Sequence, residues 1–308
     1  MYTVPVPRSL RLPYRLPSVS APRPLKQVYN AWDMTLCIGA RANVPSPLSK
    51  SLVFCFDFKV ANDAWGSESE YKFHILSDQL LAMVAGSPAK AKELALMYEA
   101  HLKEVILSEA TALEALRKPL ADLKFRKADW YVRMRLGVSY LEFLNHGAAW
   151  FGSAITERYL ASIESHQPNV EMIIGGFIDG APVLYRIARD EEGVLDLNTE
   201  TNFCLIGSGA ATAEPALHAR SQTNTTALSE TLYNVYEAKK IGESSPYVGQ
   251  KTRIYILHPP NGTSKRAPVD MVTKEGEEWL AGLYAKYGPK KLKTWPNIPA
   301  NAIRKTGF

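Results

Sequence analysis

The sequence predicts an α+β fold in which two antiparallel sheets pack face to face with helices outside each. Three observations carry this expectation. Short apolar runs come in pairs joined by turn-rich segments, as hairpins do. Helical stretches also come in pairs, instead of one after every strand, which argues against alternating βαβ units and a parallel sheet. The 308 residues are 46% hydrophobic and 22% charged, enough apolar side chain for a large core and too little charge for a disordered chain.

Residues 36–41 and 52–58 are apolar runs separated by Asn43-Val44-Pro45-Ser46-Pro47, a hairpin with a long loop. Residues 71–76 and 79–85 form a second pair around Ser77-Asp78. Ser87 then stands as an N-cap with Pro88 in the first helical position. Residues 90–117 have helical periodicity, with Leu94, Met97, Leu102, Val105 and Ile106 on one side, and Pro119 is expected to end that helix. Residues 130–165 read as a second long helical region, weakened at Gly137, Gly147 and Gly152. Residues 170–177 and 182–188 form a hairpin across Asp179-Gly180. Residues 203–206 make a short strand that runs into Gly207-Ser208-Gly209. A helix follows through about 225–240, and 251–258 is the last strand of the body.

The ends differ from this body, and three segments are expected: a Pro/Arg-rich arm at 1–34, a domain at 35–258 and a basic extension at 259–308. The first 25 residues hold six prolines and no acid, a density that blocks helix and central strand. Up to Asp33 the arm carries five basic residues against that one acid, a net +4. Residues 263–308 carry nine basic and four acidic residues, a net +5, so the stretch between is mildly acidic within a total of +5. The C-terminal segment has one helix-like stretch, 273–287, before a Pro-rich finish, and reads as an appendage wrapping the surface or a neighbour.

These patterns exclude several functions. Basic ends on an acidic body do not form the one-faced Lys/Arg patch of a nucleic-acid-binding domain. No apolar run approaches the roughly 18 to 20 residues of a membrane helix. Cys37, Cys55 and Cys204 are too few and too unevenly spaced for a disulfide framework or a CxxC zinc site, and suit a reducing, cytoplasmic compartment. The histidines form neither HxxxH nor HExxH, and Gly207-Ser208-Gly209 lacks the GK[ST] of a P-loop. No cofactor and no metal are expected.

Chemistry centres on Met34-Thr35-Leu36-Cys37-Ile38-Gly39. A chain beginning at Thr35 would carry a hydroxyl nucleophile and a free α-amine on one residue. An α-amine has a pKa of about 7.7 to 8.0, so much of it is neutral near pH 7 and able to take the hydroxyl proton. The mechanism requires removal of residues 1–34. Met34 itself is a candidate initiator, whose removal before a small threonine exposes the nucleophile without autolysis. Cys37, two residues on, alternates to the same side of the strand and reads as a small core residue.

Other segments fall in an order that resembles proteasome β-type subunits and their bacterial relatives. Lys72-Phe73-His74-Ile75-Leu76-Ser77-Asp78-Gln79-Leu80-Leu81-Ala82-Met83-Val84-Ala85-Gly86 is similar to the family's strand–turn–strand, which opens on a lysine and closes on a glycine before the first long helix. Thr35 to Gly39 is similar to the mature N-terminal strand. Phe54-Cys55-Phe56-Asp57-Phe58-Lys59 looks like the strand carrying the family's acid. Ile173-Ile174-Gly175-Gly176-Phe177 with Pro182-Val183-Leu184-Tyr185 looks like its later hairpin, and Ile206-Gly207-Ser208-Gly209 like its Gly-Ser-Gly turn. The resemblance spans about Thr35 to His258.

It implies the four-layer αββα fold of N-terminal-nucleophile hydrolases and a threonine peptidase activity. It also implies roles. Thr35 is the nucleophile and its amine the base. Lys72 lowers the hydroxyl pKa, Asp57 keeps Lys72 charged and oriented, the Gly86 N–H stabilises the oxyanion, and Ser208 hydrogen-bonds near the amine. The family places an Asp and a Ser, three apart, shortly before the last strand. Here Gly242-Glu243-Ser244-Ser245-Pro246-Tyr247-Val248-Gly249 offers Glu243 and Ser245 at altered spacing. The implied partners are a peptide or unfolded protein substrate, further copies of the chain in a ring or related homo-oligomer, and a separate ATPase, with no nucleic acid and no membrane. The stretch 130–165 is longer than the family's usual second helix and is a candidate assembly contact. Two alternatives stand beside the peptidase: a catalytically inactive scaffold subunit of the same fold, and an amidase acting on non-peptide amides.

Overall fold

The computed structural model describes residues 35–44, 50–57, 59–61, 66–68, 72–165, 168–190, 194–260, 266–288, 290 and 294–306. The expected arm at 1–34, Met34 included, lies outside the described residues, as does Phe58. The described residues fall into two compact units. One comprises those of Ala31–Phe125 and Gln167–Phe308, the other those within Arg126–His166.

The larger unit is α+β with two antiparallel sheets. The first has the order β10-β1-β2-β11-β12-β13, with β1 at Cys37–Asn43, β2 at Lys50–Asp57, β10 at Phe203–Ile206, β11 at Thr252–Leu257, β12 at Val269–Val272 and β13 at Ile303–Lys305. The second has the order β5-β6-β7-β8-β9, with β5 at Phe73–Ile75, β6 at Leu80–Gly86, β7 at Val170–Ile178, β8 at Ala181–Arg189 and β9 at Leu195–Thr199. Among the described residues two short strands, β3 (Lys59–Ala61) and β4 (Gly66–Glu68), pair with each other alone.

Period-two alternation divides each central strand between two cores. From β1, β2 and β11, the side chains of Cys37, Phe54, Phe56 and Leu257 join Leu81, Met83, Ile173 and Leu184 of the second sheet, so the sheets share one apolar core. The alternate residues Ile38, Val53, Cys55, Ile254 and Ile256 face helices α5 (Ala210–Ala219), α6 (Leu228–Gly242) and α7 (Lys274–Tyr287) through Leu217, Leu232, Tyr233 and Leu280. On the second sheet Leu80, Ala82, Val84, Met172 and Ile174 face α1 (Pro88–Leu102) and the start of α2 (Glu109–Leu136) through Leu94, Tyr98, Leu116 and Leu123. Fully burying each such Leu, Ile or Phe contributes about 1.5–3 kcal/mol.

Several elements differ from the sequence expectation. The single helix over 90–117 is two: α1 stops at Leu102, and Ser108 and Thr111 open α2 by hydrogen-bonding each other across its first turn. Pro119 does not end a helix but lies inside α2, where the buried Leu116, Leu120 and Leu123 outweigh one missing N–H. Ser87 caps α1 by backbone geometry, with Pro88 following, and makes no side-chain capping bond. Strands β9, β12 and β13 and helix α5 were not foreseen as separate elements. The segment after 258, expected to wrap the surface, supplies β12, α7 and β13 and extends the first sheet by two strands.

The smaller unit holds the end of α2, α3 (Tyr140–Phe151) and α4 (Ser153–Ser165) around Val132, Val138, Phe143 and Tyr159. The helical region expected over 130–165 breaks at two of its three glycines, Gly137 and Gly152, while Gly147 stays inside α3. Ser139 and Glu142 form a reciprocal capping box that starts α3. Among the described residues no helix is long and apolar enough to cross a membrane.

Candidate active site

Thr35 lies just before β1 and is 3% exposed. The first sheet places Asp57, the last residue of β2, beside it: Cys37 pairs with Phe56, and the Asp57 N–H donates to the Leu36 carbonyl at 3.2 Å. Lys72 comes from the other sheet, immediately before β5. Its carbonyl accepts the Val84 N–H at 3.0 Å, and the neighbouring Phe73 stacks on Tyr255 with centroids 4.6 Å apart. Backbone pairing on one side and ring packing on the other leave the Lys72 side chain directed between the sheets.

The Lys72 ammonium donates both to Thr35 Oγ1 and to Asp57 Oδ1, and the Thr35 hydroxyl donates to the same carboxylate oxygen. Asp57 is fully buried and Lys72 is 5% exposed. A charge pair taken this far from water persists only when its remaining lone pairs and protons are satisfied. The backbone supplies that here: Leu36 N–H donates to Asp57 Oδ1 at 3.2 Å and Gly249 N–H to Oδ2 at 2.6 Å. The result is a threonine hydroxyl held between an ammonium and a carboxylate inside the protein.

The other end of Thr35 meets the turn after β10. Thr35 N donates to Ser208 Oγ at 3.3 Å, and the Thr35 carbonyl accepts from Gly209 N–H at 3.2 Å. Gly207 has φ +89°, and a Cβ there would lie 2.4 Å from the Thr35 carbonyl oxygen, so only glycine lets the turn come this close. Gly86 closes β6 at φ +88°, two residues past Val84, whose carbonyl contacts the Cys37 thiol at 3.6 Å. Cys37 lies between the sheets; burial pushes its thiol up to about 12, with the Lys72 cation partly opposing.

Thr35, Asp57, Lys72 and Ser208 are thus brought together, and Gly86 lies at the same end of the second sheet. Glu243 and Ser245 are not in contact with Thr35. Glu243, the C-cap of α6, accepts from Lys239 at 2.6 Å and from Lys240 at 3.0 Å. Ser245 sits in the following turn, where its N–H donates to the Gly242 carbonyl and its own carbonyl accepts from Val248. Glu243 reaches the cluster only indirectly. The fully buried Lys239 also donates to the Gly249 carbonyl at 2.7 Å, and Gly249 N–H is the donor to Asp57.

Sequence reasoning missed Lys239, Gly249 and Glu171, whose carboxylate accepts the Gly207 N–H at 2.6 Å. Lys239 and Glu243 carry an i,i+4 signal, but that spacing ordinarily marks an exposed pair. Glu171 carries only one hint, an acid inside an apolar strand. Compared with protein-family models and with curated proteins, the chain finds no match to either.

Proposed function

We propose that this chain is an N-terminal-nucleophile hydrolase of the threonine type, with the αββα fold of that class, and that it cleaves peptide bonds in a manner similar to proteasome β-type subunits. The observation that carries the proposal is the Thr35 hydroxyl held between Lys72 and Asp57, with the Thr35 nitrogen against Ser208. Such an arrangement has a chemical use once residues 1–34 are removed. The free α-amine takes the hydroxyl proton as Oγ1 bonds to the scissile carbonyl carbon, and Lys72 stabilises the oxygen as it becomes anionic. The tetrahedral oxyanion is assigned to the Gly86 N–H. Collapse breaks the C–N bond, the protonated α-amine gives its proton to the leaving amine, and an ester on Thr35 remains. Water, deprotonated by the same amine, then hydrolyses the ester and restores the hydroxyl. General-base assistance of this kind contributes roughly 10²–10⁴ in rate, and an oxyanion donor about 10²–10³.

A homo-oligomeric ring that restricts access, a separate ATPase and a cytoplasmic setting belong to the same proposal. One fact favours a second role, a non-catalytic subunit of the same fold: in the full chain Met34 precedes Thr35, whose nitrogen is then a peptide nitrogen without a basic lone pair. The test compares the full chain with a form whose first residue is Thr35, each verified by intact mass. Both are assayed on fluorogenic peptides and small amides, and treated with a peptidyl boronate or β-lactone. The expected result is hydrolysis of peptides and a Thr35 adduct in the Thr35-first form alone, both lost in Thr35→Ala. Hydrolysis by Thr35→Ala at the wild-type rate would overturn the proposal, and activity on small amides alone would replace the peptidase with an amidase.

A further inference from the structure

Glu171 belongs to β7 in the second sheet, where it pairs in register with Ala85, the residue before Gly86. It shares strand parity with Ile173 and Phe177, both of which face the core between the sheets. Thr35 shares parity with Cys37, which faces the same space. The Glu171 carboxylate therefore enters the inter-sheet region from the side opposite Thr35. There it accepts the Gly207 N–H of the first sheet's β10 turn at 2.6 Å, and its field reaches the Cys37 thiol.

This contact is placed to matter. Gly207 is the residue whose positive φ lets the turn press against Thr35, and Ser208 and Gly209 contact Thr35 N and O. Glu171 thus links two parts of the candidate site that come from different sheets: the end of β6, which carries Gly86, and the turn that positions the Thr35 nitrogen. A carboxylate receiving a backbone N–H is among the stronger hydrogen bonds a protein makes. Holding reacting groups to within an ångström is where large rate effects arise.

We infer that Glu171 is a positioning residue for the Thr35 amine, acting through the Gly207 N–H to hold the Ser208 turn in register with Gly86. The inference rests on the threonine-hydrolase proposal and adds to it a residue that does not touch the nucleophile. The property required is an acceptor oxygen at the right reach. Glutamine retains that oxygen; alanine does not.

Wild type, Glu171→Ala and Glu171→Gln are compared in whichever form, full chain or Thr35-first, reacts at Thr35. The inactivation rate constant and the affinity for a β-lactone are determined separately, together with amide hydrogen exchange over 205–210 and the thermal midpoint. Glu171→Ala is expected to lower the inactivation rate constant by up to about 10², with affinity little changed, and to speed exchange at the turn. Glu171→Gln is expected to recover to within about fivefold of wild type, the difference between a charge-assisted and a neutral acceptor. An unchanged inactivation rate in Glu171→Ala, or a Glu171→Gln as slow as the alanine variant, overturns the inference while the hydrolase proposal stands. If neither wild-type form acquires an adduct at Thr35, the hydrolase proposal fails and this inference with it.

Discussion

At the residue scale the site is a problem in satisfying buried charge. Among the described residues Asp57 has four donors: Lys72, the Thr35 hydroxyl and the N–H groups of Leu36 and Gly249. Among the described residues Lys72 donates to Thr35 and Asp57 only, so the two partners are unequally dependent on each other. Asp57→Ala strands an ammonium that is 5% exposed, whereas Lys72→Met leaves a carboxylate that still has its backbone donors. Breaking a buried pair from the worse side costs about 3–5 kcal/mol. Urea denaturation should therefore rank Asp57→Ala well below Lys72→Met in stability, although both should lose reaction at Thr35; the reverse ranking would mean that Lys72, not Asp57, organises the cluster. A second prediction concerns the thiols. Cys37, Cys55 and Cys204 are all free and buried, and burial pushes each thiol upward. None should react with a thiol reagent at pH 8 until the protein is unfolded. For Cys37 the sign also fixes a pH dependence. The unfolded thiol ionises near its ordinary value of 9.0 and the folded one near 12, so between these the unfolded state has lost a proton that the folded state keeps. The stability from the buried neutral thiol is complete below pH 9 and declines through about pH 12, by at most about 1.4 kcal/mol per pH unit. Cys37→Ala should accordingly fall closer to wild type in urea midpoint at about pH 10.5 than at pH 8, and a constant gap would refute the assignment. Thr35 was legible in the sequence from the hydroxyl and amine it would carry together, whereas Asp57, Lys72 and Ser208 were picked out only by the resemblance of their segments to proteasome β-type subunits. Glu171 and Lys239 were not: the contacts that tie them to the site are to backbone groups 36 and 10 residues away, which spacing does not encode.

At the element scale the turn after β10 is the most constrained feature around Thr35. Gly207 combines a positive φ with a Cβ approach of 2.4 Å to the backbone oxygen of Thr35 and 2.7 Å to its Cγ2. Gly207→Ala should displace Ser208 from the Thr35 nitrogen. A left-handed conformation costs a non-glycine residue roughly 1–2 kcal/mol before any clash is counted. The expected outcome is a lower thermal midpoint together with loss of the Thr35 adduct; a variant that reacts at the wild-type rate would show that Ser208 contact is dispensable. The hairpins of both sheets were readable as short apolar runs separated by turn residues; which side chain of each run faces which core was not, because strands such as β6 (LLAMVAG) are apolar on both faces. The helical boundaries were not. Leu102, Val105 and Ile106 continue the periodic pattern across a real break at residues 103–108, where Ile106 is 93% exposed. Periodicity reports side-chain type, and an apolar residue left in water looks the same in sequence as one in the core.

At the scale of the larger unit, the lesson concerns its C-terminal segment. Composition marked residues 259–308 as basic and Pro-rich, and β12 and β13 are too short, at 4 and 3 residues, to show alternation. Yet this segment closes one side of the molecule's core. β12 pairs with β11 and β13 with β12, so they cover an edge that would otherwise expose unpaired backbone. Leu280 is fully buried against α6 and the first sheet, and Trp295 packs on Tyr233 with centroids 5.0 Å apart. The connection is also pinned by polar contacts. Arg220, paired with Glu237 and 6% exposed, donates to the carbonyls of Gly288 at 2.7 Å and Lys290 at 2.8 Å. The Tyr233 hydroxyl donates to Gly288 as well, at 2.8 Å. A chain ended after His258 would uncover the β11 edge, open the core beneath α6 and leave the Arg220–Glu237 pair facing a void. It should lose its cooperative urea transition and acquire affinity for hydrophobic dyes. Arg220→Met is a narrower probe: it removes the two carbonyl contacts and also strands the buried Glu237 carboxylate, so it should lower the urea midpoint as well as expose the chain near Gly288 to protease below that midpoint. A truncated chain that kept a sharp transition near the wild-type midpoint would return the segment to the status of an appendage. It would also show that four strands suffice to hold the first sheet, and with it Asp57, in place.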